Sequence, residues 1–493
     1  FQNIVGDVGF YIYQQVYPFY GIALILSIYG FPVVISKLIA EQPLGEQKAA
    51  IQKIKKVSFF LLSFIGFIFF MILYVGAQDI AKLMGDEKLT LMIKVTSFSF
   101  LILPTVSIMR GAFQGKNDMT PTAISQVSEQ FIRVLVIIGA SYFLIKKGKS
   151  LYTVGAGAML GSVVGGVVAL ILLLVIWRKN KISSETVGQT SLTTYKISKV
   201  LLVQGFTICI SSLLLILLQL VDAFTIYAIL LETGFEEEIA KQLKGSYDRG
   251  QPLIQLGTVV ATAFSLSLVP LIAISILKHE KEMIKHHISL SIRVSILIGL
   301  GASVGLAFLI EPINIMLFQN NFSSDVLFLL SFSILFSSIA LTAAAILQGL
   351  NKTLLPAVFV VMGVMVKMVL NISLIPVYGT HGAAISTVFS LALVAILLII
   401  SVKKRTGVAV WTATHVYTLG KAVILMSITL LLYNQMIAYI PLESRIITTI
   451  ITFIGVFIGG TIYIVTILKS NFFHPKELTQ LPFGQKLTFL LKK

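Results

Sequence analysis

The chain has 493 residues, 56% of them hydrophobic and 12% charged, with a mean hydropathy of +0.94, which excludes a soluble globular protein. Its net charge of +17 falls in short basic clusters between apolar runs. Membrane topology imposes that pattern, and a nucleic-acid partner is not expected. The single cysteine, Cys209, excludes an intramolecular disulfide and any Cys-based metal site, and the six scattered histidines suggest no metal centre.

Taken in order, runs of about 20 apolar residues, the length that crosses a hydrocarbon core, predict thirteen spans. They cover 11–40, 57–77, 90–109, 122–145, 151–177, 200–231, 251–277, 287–310, 326–348, 355–377, 381–402, 418–439 and 446–468. Glycine and proline interrupt several of them, as at Gly30-Phe31-Pro32, Pro104 and Pro270. Such breaks need neighbouring helices or a wet cavity to satisfy the freed backbone groups. Phe1 is not an initiator, and no signal peptide leads into the first run. The chain reads as lacking one N-terminal span, whose addition would make fourteen.

Loop charge sets an expected orientation. Lys48, Lys53, Lys55 and Lys56 follow the first span, and Arg178, Lys179, Lys181, Lys196 and Lys199 the fifth. Lys278, Lys281 and Lys285 follow the seventh, and Lys403, Lys404 and Arg405 the eleventh. All fall on one side, which the positive-inside rule makes cytoplasmic, with residues 1–10 outside and the C-terminus inside. The 232–250 loop, carrying Glu232, Glu236, Glu237 and Glu238, falls on the outer side, and Lys146, Lys147 and Lys149 run against the rule.

One stretch occurs twice. Arg110 to Pro121 reads R-G-A-F-Q-G-K-N-D-M-T-P, and Ala344 to Pro356 reads A-A-I-L-Q-G-L-N-K-T-L-L-P. Gln114-Gly115 matches Gln348-Gly349, Asn117 matches Asn351, and Arg133 matches Lys367, all 234 residues apart. Each cation lies about 11 or 12 residues beyond its proline, roughly 17 Å along a helix and near the middle of the bilayer. The duplication predicts an all-α polytopic protein of two parallel-repeat six-helix lobes plus two extra C-terminal helices. Its parts are an N-lobe (1–182), a cytoplasmic linker (183–199), a C-lobe (200–405), two additional spans (406–470) and a cytoplasmic tail (471–493). Phe472, Phe473, Leu491 and basic residues suit that tail to the membrane surface.

A charge at the bilayer centre costs about 2.5–3.5 kcal/mol, so an intramembrane ion normally faces a cavity or a partner. Arg133 and Lys367 are expected near the middle. Lys37, Arg110 and Arg293 are expected near the cytoplasmic ends, where they either meet substrate or snorkel to headgroups. Glu129 and Arg133, four apart on one helical face, also read as a self-satisfied pair, whereas Lys367 has no acid three or four residues away. Asp222 with Asp248-Arg249 reads as an outer gate. Gln114, Gln126, Gln130, Gln204 and Gln219 serve either as interhelical glue or as sugar contacts. Gly148-Lys149-Ser150 resembles the end of a phosphate loop, but Phe143 stands where the loop needs glycine, so no ATP site and no enzyme is expected.

At Arg110–Pro121, at Y-D-R-G-Q-P-L-I-Q-L-G from Tyr247 to Gly257, and at the opening Q-N-I-V-G-D-V-G-F-Y-I, the chain resembles a known family. It is similar to the bacterial polysaccharide-export branch of the multidrug/oligosaccharidyl-lipid/polysaccharide superfamily, near the stage V sporulation protein B and MurJ-type lipid II flippase group. The resemblance implies fourteen helices in two lobes, a central cavity that alternates access, and a polyprenyl-tail groove at 418–439 and 446–468. It makes Asp7 the acidic residue near the start of the second helix and Asp248-Arg249 the pair that opens the eighth. The chain departs from the MurJ pattern at Pro18-Phe19-Tyr20, where that group carries basic residues.

The expected function is a flippase of the bacterial cytoplasmic membrane. Its cargo would be an anionic polyprenyl-diphosphate-linked envelope glycan precursor, lipid II or a related saccharide. Arg133, Lys367, Arg110, Lys37 and Arg293 would bind the diphosphate, and Asp7, Asp222, Asp248, Arg249 and Glu129 would gate or couple. No cofactor is expected, and drive comes from the membrane potential or a monovalent cation. Envelope-synthesis enzymes are the expected protein partners. The alternatives are a proton- or sodium-coupled multidrug exporter of the same superfamily and a non-transporting scaffold of an envelope-assembly complex.

Overall fold

The computed structural model describes residues 1–42, 47–179, 192–268, 271–272, 275, 278–408, 413–439, 444–470, 472–473 and 477. Among them the secondary structure is helical with no strand, and twelve helices are long and apolar enough to cross a membrane. The chain is therefore an all-α, multi-pass membrane protein. The expected 251–277 span is carried in part by the helix Gly250–Leu266. Pro270 and Leu491 lie outside the described residues.

Three stretches differ from the sequence reading. Residues 2–10 are helical and belong to the first span, which runs over Gln2–Ala40. They enter it through a backbone reset at Gly6 (φ 69°), a left-handed conformation that glycine tolerates. The predicted break before Pro32 is a wide π-turn over Leu26–Gly30. The acidic 232–250 loop contains the helix Glu237–Asp248, because Ala240, Lys241, Lys244 and Tyr247 recur on one face and are all buried.

The duplicated turn has the same backbone in both copies. Asn117 and Asn351 both take φ 60°, the left-handed residue that ends a helix. Asp118 N–H reaches back to Phe113 O at 3.1 Å, and Lys352 N–H to Leu347 O at 2.8 Å. The following helices, Thr120–Lys146 and Leu354–Tyr378, begin 234 residues apart. The register extends further upstream than the sequence match. Helices break at Phe98 and Phe332, each inside a Ser-Phe-Ser triplet, and Gly85 (φ 81°) has Gln319 (φ 66°) as its counterpart.

The chain forms two compact units, Phe1–Gly245 and Ser246–Lys493. The duplication and the packing therefore divide the chain at different places. In the first unit the helix Leu214–Glu232 lies on Gln2–Ile25, with Gln15 Nε2 donating to Ala223 O at 3.0 Å. The helices Thr120–Lys146 and Leu151–Lys179 approach closely through Gly161 and Gly165. A methyl at either position would stand 3.0 Å from Arg133 O or 2.7 Å from Glu129 O. That contact fixes the backbone at Glu129 and Arg133. In the second unit the last two helices, Ala413–Ile437 and Arg445–Lys469, pack together. Asn434 Nδ2 donates to Phe308 O at 2.6 Å, and Tyr463 OH to Leu297 O at 2.8 Å, binding them to the helix Lys281–Phe308.

Candidate functional site

Among the described residues, buried charged groups occur in both units, among them those of Arg110 and Arg133 in the first and of Lys367 and Arg293 in the second. In the first unit Arg110, with no exposed surface, sits in the helix Ser99–Gln114 and donates from Nη2 to Glu129 Oε2 at 2.8 Å. Its Nε donates to Ser125 Oγ at 3.0 Å and its Nη1 to Ser27 O at 3.4 Å. Glu129 is thus the partner of Arg110, nineteen residues back, and not of Arg133 one turn along its own helix. This excludes the self-satisfied pair that was one of two readings of 129 and 133, and Arg110, buried and paired, does not snorkel.

Arg133 takes a different position. Its guanidinium lies over the Tyr20 ring, 5.0 Å from the centroid, and its buried Nε and Nη1 have no hydrogen-bond partner. Tyr20 joins the two centres, since its hydroxyl also approaches Glu129 Oε1 at 3.5 Å. Tyr13, Tyr17 and Tyr20 recur at helical spacing, with successive ring centroids 6.0 and 6.1 Å apart. Two buried N–H groups of a cation without an acceptor cost about 1–3 kcal/mol or more. Such an arrangement is set up to receive an anion.

Lys367, at the matching position, is fully buried. Its Nζ donates to Thr387 Oγ1 at 2.5 Å, and Thr387 also meets Tyr247 OH at 2.9 Å. Ser386 Oγ donates to Asn371 Oδ1 on the same pair of helices, Leu354–Tyr378 and Thr380–Thr406. The two duplicated cations share a register and differ in setting, one on an aromatic face and one enclosed in a hydroxyl and amide cluster.

Arg293 forms a further centre. Its Nη2 and Nη1 meet the two carboxylate oxygens of Glu477 at 2.5 and 3.4 Å, and His415 Nε2 lies 3.4 Å from Nη1. Arg293 is buried and ion-paired, which excludes the snorkelling alternative for it. Beside it runs a groove of about 540 Å³, lined by Val294, Ile298, Gly301, Tyr463, Ile467 and Phe473 among other apolar residues. The described residues of the tail, 472–473 and 477, dock on the protein, with Phe472 buried against His415 at 5.0 Å.

The remaining expected site residues are scattered. Lys37 is 42% exposed, reaches Gln204 Oε1 at 3.4 Å and stands 4.0 Å from Glu41. Asp7 accepts from Gln2 Nε2 at 2.8 Å, just after the Gly6 reset. Asp222 and Asp248 are buried. Arg249 is fully buried in the second unit, donating to Asn314 Oδ1 at 2.9 Å and Asn320 Oδ1 at 2.7 Å, over the Phe318 ring. It pins the turn between Ile310–Phe318 and Ser324–Ser331.

Sequence reasoning missed a further cluster in the first unit. Asp86, buried, accepts from Tyr152 OH at 2.6 Å and Tyr11 OH at 3.2 Å, and buried Lys241 lies over the Tyr152 and Tyr227 rings. Lys241 is hydrogen-bonded to Glu237, which holds that exposed carboxyl below the usual carboxylate range.

Residues 1–276 match the family model of the polysaccharide biosynthesis proteins. The chain is 45% identical to a Bacillus subtilis (strain 168) membrane protein, YabM, over all of this chain and 92% of that one. It is 27% identical to the lipid II flippase MurJ of the same organism over 83% of this chain and 78% of that one. Among solved structures, an inward closed lipid II flippase MurJ aligns with 93% of this chain and 92% of that one, at TM-score 0.63 and 15% identity. An inward-facing MATE family multidrug transporter aligns with 83% and 95%, at TM-score 0.62 and 15% identity. Of these, MurJ is a lipid II flippase and the MATE protein a multidrug transporter of the MOP superfamily, and neither is an enzyme.

Proposed function

The chain belongs to the family of polysaccharide biosynthesis proteins, and from that premise we propose that it is a flippase for an anionic polyprenyl-diphosphate-linked glycan precursor. The carried lipid is lipid II or a related lipid-linked saccharide, moved from the cytoplasmic to the outer leaflet of a bacterial cytoplasmic membrane by alternating access. The C-terminus then lies on the cytoplasmic side, where the basic loops gather.

The observation that carries this reading is the Arg133 guanidinium, which keeps two buried N–H groups without an acceptor. A diphosphate supplies such acceptors, and in a low-dielectric setting charge-assisted bonds to it are strong. The rings of Tyr13, Tyr17 and Tyr20 beside it are flat apolar faces that suit sugar rings. The apolar groove of the second unit suits the isoprenoid chain. The second unit has buried cations of its own, Lys367 and Arg293, and Lys37 of the first, exposed, suits recruitment. Arg110 serves by holding Glu129, not by binding cargo. With the cell interior negative, an outward-moving anion gains about 2.3 kcal/mol per charge per 100 mV. The membrane potential can therefore drive export, alone or with a monovalent cation.

The alternative, a proton- or sodium-coupled drug exporter, needs cavity carboxylates to carry the coupling ion, and Glu129 is committed to Arg110.

The test is flipping of a fluorescent polyprenyl-diphosphate sugar in reconstituted vesicles. R133Q should slow it by about 100-fold, roughly the loss of one strong charge-assisted contact in a buried site. A rate within twofold of wild type would remove Arg133, and the reading with it.

A further inference from the structure

We propose that the Arg293 site takes the phosphate of an isoprenoid lipid whose chain lies in the adjoining groove, and that Glu477 is its built-in competitor, holding the same cation until lipid displaces it. The inference rests on the flippase reading for the kind of lipid and adds the site and its regulation.

The geometry has four parts, all within the second unit. First, Arg293 meets the Glu477 carboxylate in a two-pronged fashion, the arrangement guanidinium also makes with phosphate. Second, the carboxylate is an incomplete occupant, because Arg293 Nε is buried and has no hydrogen-bond partner. A carboxylate offers two oxygens to this fork, whereas a phosphate monoester offers three terminal oxygens and can reach the remaining donor. Third, two imidazoles border the centre. His415 Nε2, 3.4 Å from Arg293 Nη1, accepts from the guanidinium, and His286 Nδ1 is 3.9 Å from Glu477 Oε1. Fourth, the charged centre continues into the apolar groove along one helix. Val294 and Ile298 follow Arg293 on Lys281–Phe308 and line the groove, whose volume of about 540 Å³ is within the range of small-molecule sites.

The tail occupies both ends of this arrangement. Phe473 lines the groove and packs on Leu268, Leu290 and Val294, while Glu477 sits on the cation. A lipid with its chain in the groove and its phosphate on Arg293 would replace apolar contact with apolar contact and anion with anion. A site open only part of the time has its apparent affinity reduced to that open fraction of the intrinsic one. Weakening the occupant should therefore tighten lipid binding.

The experiment measures binding of a long-chain polyprenyl monophosphate to the full chain in nanodiscs by native mass spectrometry. E477Q should tighten binding by about tenfold, on the view that the closed form dominates. F472A, which loosens the seat on His415 and the contact with Phe473 without changing a charge, should shift it the same way by less. R293Q should weaken binding about tenfold, alone or combined with E477Q, since the phosphate loses its fork. Inorganic phosphate at the same concentrations should not compete. Unchanged or weaker binding in both E477Q and F472A would overturn the proposal, and so would full competition by inorganic phosphate. Vesicle flipping stays separate. Tighter binding in E477Q without any flipping would sink the transport reading alone, and flipping with a silent E477Q would sink this one alone.

Discussion

Residues 76–133 and 310–367 have one backbone plan and opposite fillings. Both break at the same places, both pass through a left-handed Asn, and both start their next helix in register. In the first, Arg110 and Glu129 form a buried ion pair closed by Ser125. At the matching positions the second has Ala344, Gly363 and Phe359. Gly363 leaves no room for any side chain, since a methyl there would stand 2.3 Å from Val394 Cγ2. Backbone geometry and polar content are therefore separable. Duplication kept the turns and helix breaks, while each half filled its interior in its own way.

The largest expected effect breaks the pair on the charged side. E129M leaves Arg110 buried without its counter-ion and should lower stability by about 3–5 kcal/mol, read as a fall in the detergent melting temperature. R110M/E129M, which gives the first half an apolar filling like that of the second, should melt closer to wild type than either single change. A double variant worse than E129M would show that the two fillings are not equivalent. Next, G363A should cost about 1–3 kcal/mol through overpacking against Val394. G363A/V394A should recover much of that loss in the same melt. The shared turn sets a smaller effect. N117A and N351A each force alanine into the left-handed region and should cost about 1 kcal/mol apiece, whereas glycine at either place should be nearly neutral. A clear inequality between the two alanine variants would break the equivalence of the turns.

The smallest effect contrasts the buried pair with an exposed one. Glu237, held low by Lys241, is stabilising above its unfolded pKa near about 4.3, and that contribution fades as pH falls through its lower folded value. Solvent screening limits it to a few tenths of a kcal/mol, roughly. The melting gap between wild type and E237Q should be small at pH 7 and shrink as pH falls below the unfolded carboxylate range. A gap that widens in acid would reverse the assignment.

The spans and the Asn turns were legible because hydropathy and left-handed preferences are local properties of the chain. The Ser-Phe-Ser triplets at 97–99 and 331–333 carried the longer register in plain view. The left-handed pair Gly85 and Gln319 did not, since two unlike residues hold one conformation. Charge partners were least legible. Helical spacing pairs Glu129 with Arg133, yet packing through Gly161 and Gly165 and the turn of the chain bring Arg110 to it instead. Glu477 is 184 residues from Arg293, so no pattern along the chain could join them. The buried face of the helix Glu237–Asp248 was hidden because two of its members are lysines, whose charge reads as loop until Tyr152 and Tyr227 are seen to cover Lys241.

The wide turn at Leu26–Gly30 ties helix winding to an electric charge. In that register a carbonyl pairs with the amide five residues on, and for Ser27 that residue is Pro32, which has no amide hydrogen. The Ser27 oxygen turns to Arg110 instead. Rewinding this turn would withdraw one of the three ligands of that guanidinium, so a twist in the first span is felt at once by the helix that carries Glu129 and Arg133.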